Sequence, residues 1–302
     1  MISFAVILLT SLFFTGIVVR TKSLTSGRKG PGIFQPMKDI FRLLKKGAVF
    51  SETSSVIFQI APSIYFASVL MAILVIPLGN SKGIISFDCD FVFFAYVLAL
   101  GKFFNIIAAL DTGSSFEGMG ASREALYSML VEPAFFVLMG SFALLTGHTS
   151  FYDIFSNLYF FNSYISYALG IMATFVLAMI AMIENSRMPV DDPKTHLELT
   201  MVHEVMILDN SGFDLGLILH ATNLKFAMYG ALIANLFLGN MQWYITIPIF
   251  FVVQILFAVI VGLLESFSAR FRMNHNAQFI FTLSSVALLI FFGVLLVLGK
   301  FI

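Results

Sequence analysis

Eight long apolar runs, near 2–19, 55–78, 91–110, 125–147, 164–183, 217–239, 243–264 and 277–299, leave this chain few ways to fold. Each is close to the roughly 20 residues that cross a bilayer as a helix. Lipid offers no partners for backbone N–H and C=O groups, so each run must satisfy its own as an α-helix. A chain with 36 Phe, 15 Met and only 11% charged residues has no use in water for so much apolar surface. The expected class is all-α: a single polytopic membrane domain over residues 1–302 with about eight spans.

The few charges set an orientation. The segment 20–54 carries Arg20, Lys22, Arg28, Lys29, Lys38, Arg42, Lys45 and Lys46. With that segment inside, the other inner loops add Arg123, Arg187, Lys194, Arg270 and Arg272, and the outer ones hold only Lys82 and Lys300. Lys and Arg accumulate in cytoplasmic loops, so this bias predicts both termini outside. Arg20 and Lys22 follow the first run and no cation precedes it, which predicts an uncleaved span, not a leader. Cys89 is the sole cysteine. One thiolate cannot hold an iron–sulfur cluster or a nickel–iron centre, so redox metals, where involved, belong to another chain.

Within segment 20–54, Gly27 to Gly32 reads as a loop, and Ile33 to Lys46 reads as an amphipathic helix on the inner surface. Met37, Ile40, Phe41 and Leu44 recur at helical spacing, with Lys38, Arg42, Lys45 and Lys46 on other faces. It suits either an anchor on anionic headgroups or a lip over a cavity or docking surface.

Carboxylates concentrate elsewhere. Glu184-Asn185-Ser186-Arg187-Met188-Pro189-Val190-Asp191-Asp192-Pro193 lies on the inner side between two spans, continuing to Glu198, His203-Glu204 and Asp209. Asp191-Asp192-Pro193 could cap a short helix. His196 and His203, seven apart, would share a helical face. His203-Glu204 lacks the second His of a zinc motif, so the stretch reads as an ion-paired subunit interface or a hydrated proton path. Three charges fall inside spans, Lys102, Glu132 and Lys225. Lys102 lies near the middle of the third, and Glu132-Pro133 sits two to three turns into the fourth. A charge at that depth costs about 2.5–3.5 kcal/mol or more, so it faces protein or water and marks a functional site by default. Lys102 is expected to turn inward onto a carboxylate such as Glu132, which is itself a candidate proton carrier. Lys225 lies within the sixth span, with His220 and Asn223. Between the third and fourth spans, Asp111 to Glu124 is expected to form a Gly- and Ser-rich turn, with Arg123 opening the next helix.

Three blocks of this sequence resemble a known family. The first, Gly27 to Lys46, is similar to a G-R-x-G-P and Q-x-x-x-D-x-x-x-L block. The second runs from Ala109-Leu110-Asp111-Thr112-Gly113 through Ser122-Arg123-Glu124-Ala125, with Glu132-Pro133 after it. The third is Glu184-Asn185-Ser186-Arg187-Met188-Pro189-Val190-Asp191 with His196-Leu197-Glu198-Leu199 and His203-Glu204. The chain resembles the subunit 1 family of respiratory NADH dehydrogenase, and within it the branch of formate hydrogenlyase subunit 4 and hydrogenase-4 component C.

That resemblance implies a subunit with no catalytic residue, redox centre or metal of its own. It anchors a cytoplasmic redox arm to the membrane of a prokaryotic cell and passes coupling to antiporter-like proton- or sodium-pumping subunits. Its partners would be hydrogenase-like large and small subunits and iron–sulfur subunits, with iron–sulfur clusters and nickel–iron held there, and no nucleic acid. The implied ion path includes Lys102, Asp111, Arg123, Glu124, Glu132, Glu184, Arg187, Asp191, Asp192, Glu198, His203, Glu204 and Lys225. Arg28, Gln35, Pro36 and Asp39 match the entrance that holds quinone in the quinone-reducing branch. Leu208-Asp209-Asn210-Ser211-Gly212 replaces that family's common Glu-Tyr-Ser-Gly step, which points away from quinone. A quinone-binding subunit of an NADH-type dehydrogenase and an independent secondary transporter are the alternatives.

Overall fold

The computed structural model describes residues 1–51, 54–158, 164–192, 201–239 and 241–299. Among them are eight helices or helix pairs long and apolar enough to cross a membrane, and no strand. The first span is two helices, α1 (Ile2–Ser11) and α2 (Phe14–Thr25), broken at Leu12-Phe13. The surface helix α3 (Gln35–Leu44) follows, then the spans α4 (Val56–Val75), α5 (Asp90–Asp111) and α6 (Ser115–Thr146). A short α7 (Phe151–Asn157) leads into the span α8 (Tyr164–Glu184). The single turn α9 (His203–Met206) precedes the last three spans, α10 (Gly212–Leu238), α11 (Trp243–Phe267) and α12 (Met273–Val297).

The least apolar span is the most buried. Protein covers 83% of the most hydrophobic stretch of α10, against 28% for α12. In water this ranking would be perverse. In lipid, apolar side chains gain little by leaving the solvent, so packed interfaces take the polar and small residues. Helix α10 packs against α1, α2, α3, α4, α8 and α11, and its polar groups are the joints. Asn223 Oδ1 accepts from Thr15 Oγ1 at 2.6 Å. Asn235 accepts from Gly79 N at 3.0 Å and donates to Pro77 O at 2.8 Å, fixing the loop after α4. Gln254 on α11 donates to Ala227 O at 2.9 Å, and a Cβ at Gly230 would collide with its carboxamide.

The amphipathic segment is shorter than its pattern. Met37 and Ile40 are buried, whereas Phe41 is 52% exposed, so α3 uses a narrow apolar stripe to rest on α10. At the far side of the membrane, buried Asp90 opens α5 and accepts from Phe151 N at 2.6 Å and from Ser150 Oγ at 3.3 Å. It thereby caps α7 from another element, a contact of about 0.5–2 kcal/mol when made locally.

The fourth span differs from the sequence expectation. Only Thr112-Gly113-Ser114 turns, with Gly113 at φ +70°, and α6 starts at Ser115, so Glu117, Arg123 and Glu124 are all helical. Of the glycines beyond Gly113 in the first turns of α6, Gly120 serves close approach. A Cβ on Gly120 would meet Val205 Cγ1 at 2.5 Å and Val202 O at 2.8 Å, so α9 lies directly against this helix. The expected helix start at Pro193, the His196 face and Glu198 lie outside the described residues.

Candidate functional site

Four spans each contribute one charge to a buried set. Lys102 comes from α5, Glu124 from α6, Glu184 from the last turn of α8 and Lys225 from the middle of α10. Lys102 Nζ lies 3.1 Å from Glu124 Oε1 and 3.0 Å from Glu184 Oε2. The same Glu184 oxygen is 3.2 Å from Lys225 Nζ. Lys225 also donates to the Glu184 backbone carbonyl at 2.8 Å, one of the orphan acceptors at a helix C-terminus, where a cation is favoured. All four side chains are at most 10% exposed. Two cations balance two carboxylates, so the set is neutral. Desolvation costs several kcal/mol per ion, and such a set persists only because every member is paired.

The sequence expectation for Lys102 holds in direction but not in partner. Its carboxylates are Glu124 and Glu184, not Glu132. Glu124, Ser128 and Glu132 are spaced by four and lie along one face of α6, which puts Glu132 about 12 Å beyond Glu124. Glu132 is half-buried and makes no ion pair or hydrogen bond among the described residues. It lines a cavity of about 220 Å³ between α5 and α6, together with Lys102, Ser128, Glu184 and Tyr229.

A second cavity of about 220 Å³ lies on the other side of the charged set. Pro36, Asp39, Asn185, Ser186, Arg187, His203, Glu204 and Asn223 line it, under the shelter of α3. Ser186 joins it to the charged set, because its Oγ donates to Glu124 Oε2 at 3.2 Å. Ser186 takes a left-handed conformation, φ +49°, as the chain leaves α8. Buried Asn185 Oδ1 and His203 Nε2 find no hydrogen-bond partner among the described residues, and the space beside them suits several waters. Burial pushes the His203 imidazole down to about 4; Glu124 opposes this, and Lys225, Lys102 and Arg187 add to it. Burial raises the Glu204 carboxyl above its ordinary range against the pull of Arg187. Glu204 therefore exchanges protons closer to neutrality than a free glutamate.

Three flanking ion pairs hold the loops on the α3 side. Glu265 at the end of α11 pairs with Arg187 at 3.1 Å and with Lys22 at 3.5 Å, and the Arg187 guanidinium stands 5.2 Å from the Phe226 ring centroid. Arg270 meets Asp191 at 2.9 Å. The other Asp191 oxygen accepts from Val202 N at 3.3 Å and His203 N at 3.1 Å, which pins the start of α9. Burial raises the Asp191 carboxyl, with Arg270 opposing. Arg123 donates to Met201 O at 3.0 Å, and Glu117 accepts from Asp209 N at 2.9 Å. The early turns of α6 thus clamp the whole 201–209 segment beneath the site.

The remaining expected residues fall outside the charged set. Asp111 closes α5 and accepts from Ser55 N at 2.6 Å, at the start of α4. Asp192 lies beside Asp191 and donates its backbone N–H to it. Of the expected entrance group, Pro36 and Asp39 reach the α3 cavity, Gln35 donates to Asp39 at 2.8 Å, and Arg28 lies apart at the end of α2. Sequence reasoning missed Ser186, Glu265 and Tyr229 as parts of the site. Glu265 carried a usable signal, a carboxylate ending an apolar run, whereas the linking role of Ser186 depends on a turn conformation.

A family model described as NADH dehydrogenase matches residues 1–297. Hydrogenase-4 component C of Escherichia coli (strain K12) is 31% identical over 234 residues, covering 77% of this chain and 72% of that relative. Formate hydrogenlyase subunit 4 of the same organism is 26% identical over 268 residues, 86% of each chain. Among solved structures, a chain of the membrane-bound sulfane sulfur reductase, an archaeal respiratory membrane complex, superposes with a TM-score of 0.80 at 18% identity, covering 96% of both chains, which shows a shared fold.

Proposed function

Because this chain belongs to the NADH dehydrogenase family, in its subunit 1 branch, we propose that it anchors and couples a complex-I-related, hydrogenase-type assembly. It links a redox arm on the cytoplasmic side of a prokaryotic cell membrane to antiporter-like subunits that move protons or sodium. Hydrogenase-like and iron–sulfur subunits carry the clusters and the catalysis. The names of the two Escherichia coli relatives support this reading, and so does the charge bias of the loops.

The observation that carries the proposal is a polar file between two cavities: Glu204 and His203, then Ser186, Glu124, Lys102, Glu184 and Lys225, then Glu132. A change of charge in the α3 cavity acts first on Glu204 and His203. At an effective dielectric near 20, a unit charge about 4 Å away is worth about 4 kcal/mol, enough to redistribute a proton or an ion pair. Lys102 has two carboxylates to choose between, Glu124 toward the α3 cavity and Glu184 toward the Glu132 cavity. A shift of its allegiance changes the field at Glu132. The volume of the α3 cavity, below the about 300–1,000 Å³ of typical organic-ligand sites, and the charges of Asp39, Arg187 and Glu204 in its lining favour this reading over a quinone site. No step is assigned to that group.

The test is Glu132→Gln in the intact complex. This side chain makes no ion pair within the described residues, so assembly and the redox half-reaction persist while ion transport in reconstituted vesicles falls severalfold. Transport at the wild-type level would remove Glu132 from the path.

A further inference from the structure

The end of the first span forms a basic cleft that the ion path does not use. Helix α2 closes with Gly27 at φ +67°, Arg28 N donating to Ser23 O at 2.9 Å and Gly27 N to Leu24 O at 3.0 Å. This paired closure is the Schellman arrangement, and it requires the left-handed glycine. The chain then doubles back along α2. A Cβ on Gly30 would collide with the Ser23 side chain and lie 3.9 Å from Arg20 Cα, and one on Gly16 would strike the Ile33 backbone. Residues 28–30 are thus held beside Arg20, and Arg20, Arg28 and Lys29 surround an open cleft of about 540 Å³.

We propose that this cleft binds the phosphate of an anionic phospholipid. Three observations select that ligand. Arg20, Arg28 and Lys29 make no ion pair among the described residues, whereas neighbouring Lys22 is committed to Glu265. The last-turn carbonyls of α2, which would repel an anion, are covered: Lys22 O accepts from Ser26 Oγ at 2.8 Å, and Ser23 O and Leu24 O accept from the closing turn. The cleft sits where a span meets the aqueous edge, with apolar side chains placed for an acyl chain. Leu24 lines it and is 63% exposed. Phe267, 81% exposed, follows Ser266, whose hydroxyl is 2.7 Å from that of Thr25. Guanidinium groups match phosphate oxygens in pairs, and a lipid satisfies both the charge and the flank.

The assembled complex, purified and washed with detergent, is analysed by mass spectrometry for retained lipid, wild type against R20Q/R28Q/K29Q, with Lys82→Gln as control. The wild type and the control keep an anionic phospholipid in preference to a zwitterionic one. Each cation near a headgroup is worth about a factor of five, so the triple variant binds roughly a hundredfold more weakly when anionic lipid is titrated back. A milder disruption, Gly27→Ala, strains the closing turn and weakens retention less, without removing charge. Equal retention of zwitterionic lipid, or unchanged retention in the triple variant, overturns the proposal. So does displacement of the lipid by inorganic phosphate at equal concentration, which would make the cleft a plain anion site, or a cross-link from Arg28 to a protein subunit.

Discussion

Lys102 shows how a single residue ties stability to the proposed ion path. It is the only member of the set within 4.0 Å of two different carboxylates. Among the described residues, Lys102→Met leaves Glu124 with Ser186 and Glu184 with Lys225. Breaking a buried pair costs about 3–5 kcal/mol, so thermal unfolding in detergent shifts to markedly lower temperature. Adding Glu124→Gln removes the orphaned carboxylate and recovers much of the loss, while coupling stays absent. Failure of the double variant to recover would show that the lysine stem, not the charge, holds the helices. His203 gives a pH signature. Its folded value is about 4, below the ordinary 6.5, so the unfolded imidazole takes a proton first as pH falls. Its contribution to stability is present above about pH 6.5 and declines toward pH 4, by up to about 1.4 kcal/mol per unit. Asp191 and Glu204, raised by burial, act with the opposite sign, losing stability as pH rises. The difference between wild type and His203→Gln isolates the imidazole: the variant is less acid-sensitive between pH 6.5 and 4, and parallel curves would contradict its buried neutral state.

At the scale of elements, α6 does most to shape the face that carries α3 and α9. Its first turns carry Glu117, Gly120, Arg123 and Glu124, each of which holds or faces the 201–209 segment or the charged set. Gly120→Ala forces a Cβ onto Val205 and the Val202 carbonyl, an overpacking of about 1–3 kcal/mol. Displacing α9 moves His203 and Glu204 relative to Glu124, so coupled transport drops while membrane insertion is normal. Proteolysis of the 201–209 segment should accelerate in parallel, and an unchanged cleavage rate would argue that α9 had not moved. This helix also marks where the sequence could be read and where it could not. The spans were legible because a bilayer imposes a length and an apolar composition on every one of them. The start of α6 was not, because Gly118, Gly120 and Ser122 suit a turn as well as a helix that must let a neighbour approach. The depth of Lys102, Glu132 and Lys225 announced buried charge. The pairing of the two lysines could not be read, since the ties among the four spans join Lys102 to Glu124 and Glu184, and Glu184 to Lys225, positions far apart in the chain that no local period links.

For the whole molecule, the polar joints gather on α10 and the apolar faces of α11 and α12 turn outward. The orientation of partners follows. Glu132 and its cavity open between α5 and α6, where Phe103 is 55% and Met129 is 64% exposed at the rim, so on the proposed function coupling would leave the chain sideways through that face. The α3 cavity lies at the opposite end of the file, under the loops that would meet a redox arm.

The central position of α10 also governs how the protein can be made. A helix with Lys225 at its midpoint is penalised by about 2.5–3.5 kcal/mol as it partitions from the translocon, and Asn223 and Asn235 add to that. Helix α8, with Glu184 at its end, is synthesised first, so a counter-charge is waiting when α10 emerges. In a glycosylation-mapping assay of insertion, α10 alone should enter the membrane poorly, and it should insert well when α8 precedes it, an advantage that Glu184→Gln abolishes. The Lys225–Glu184 pair, which the proposed ion path includes, is then also the device by which the core helix enters the membrane.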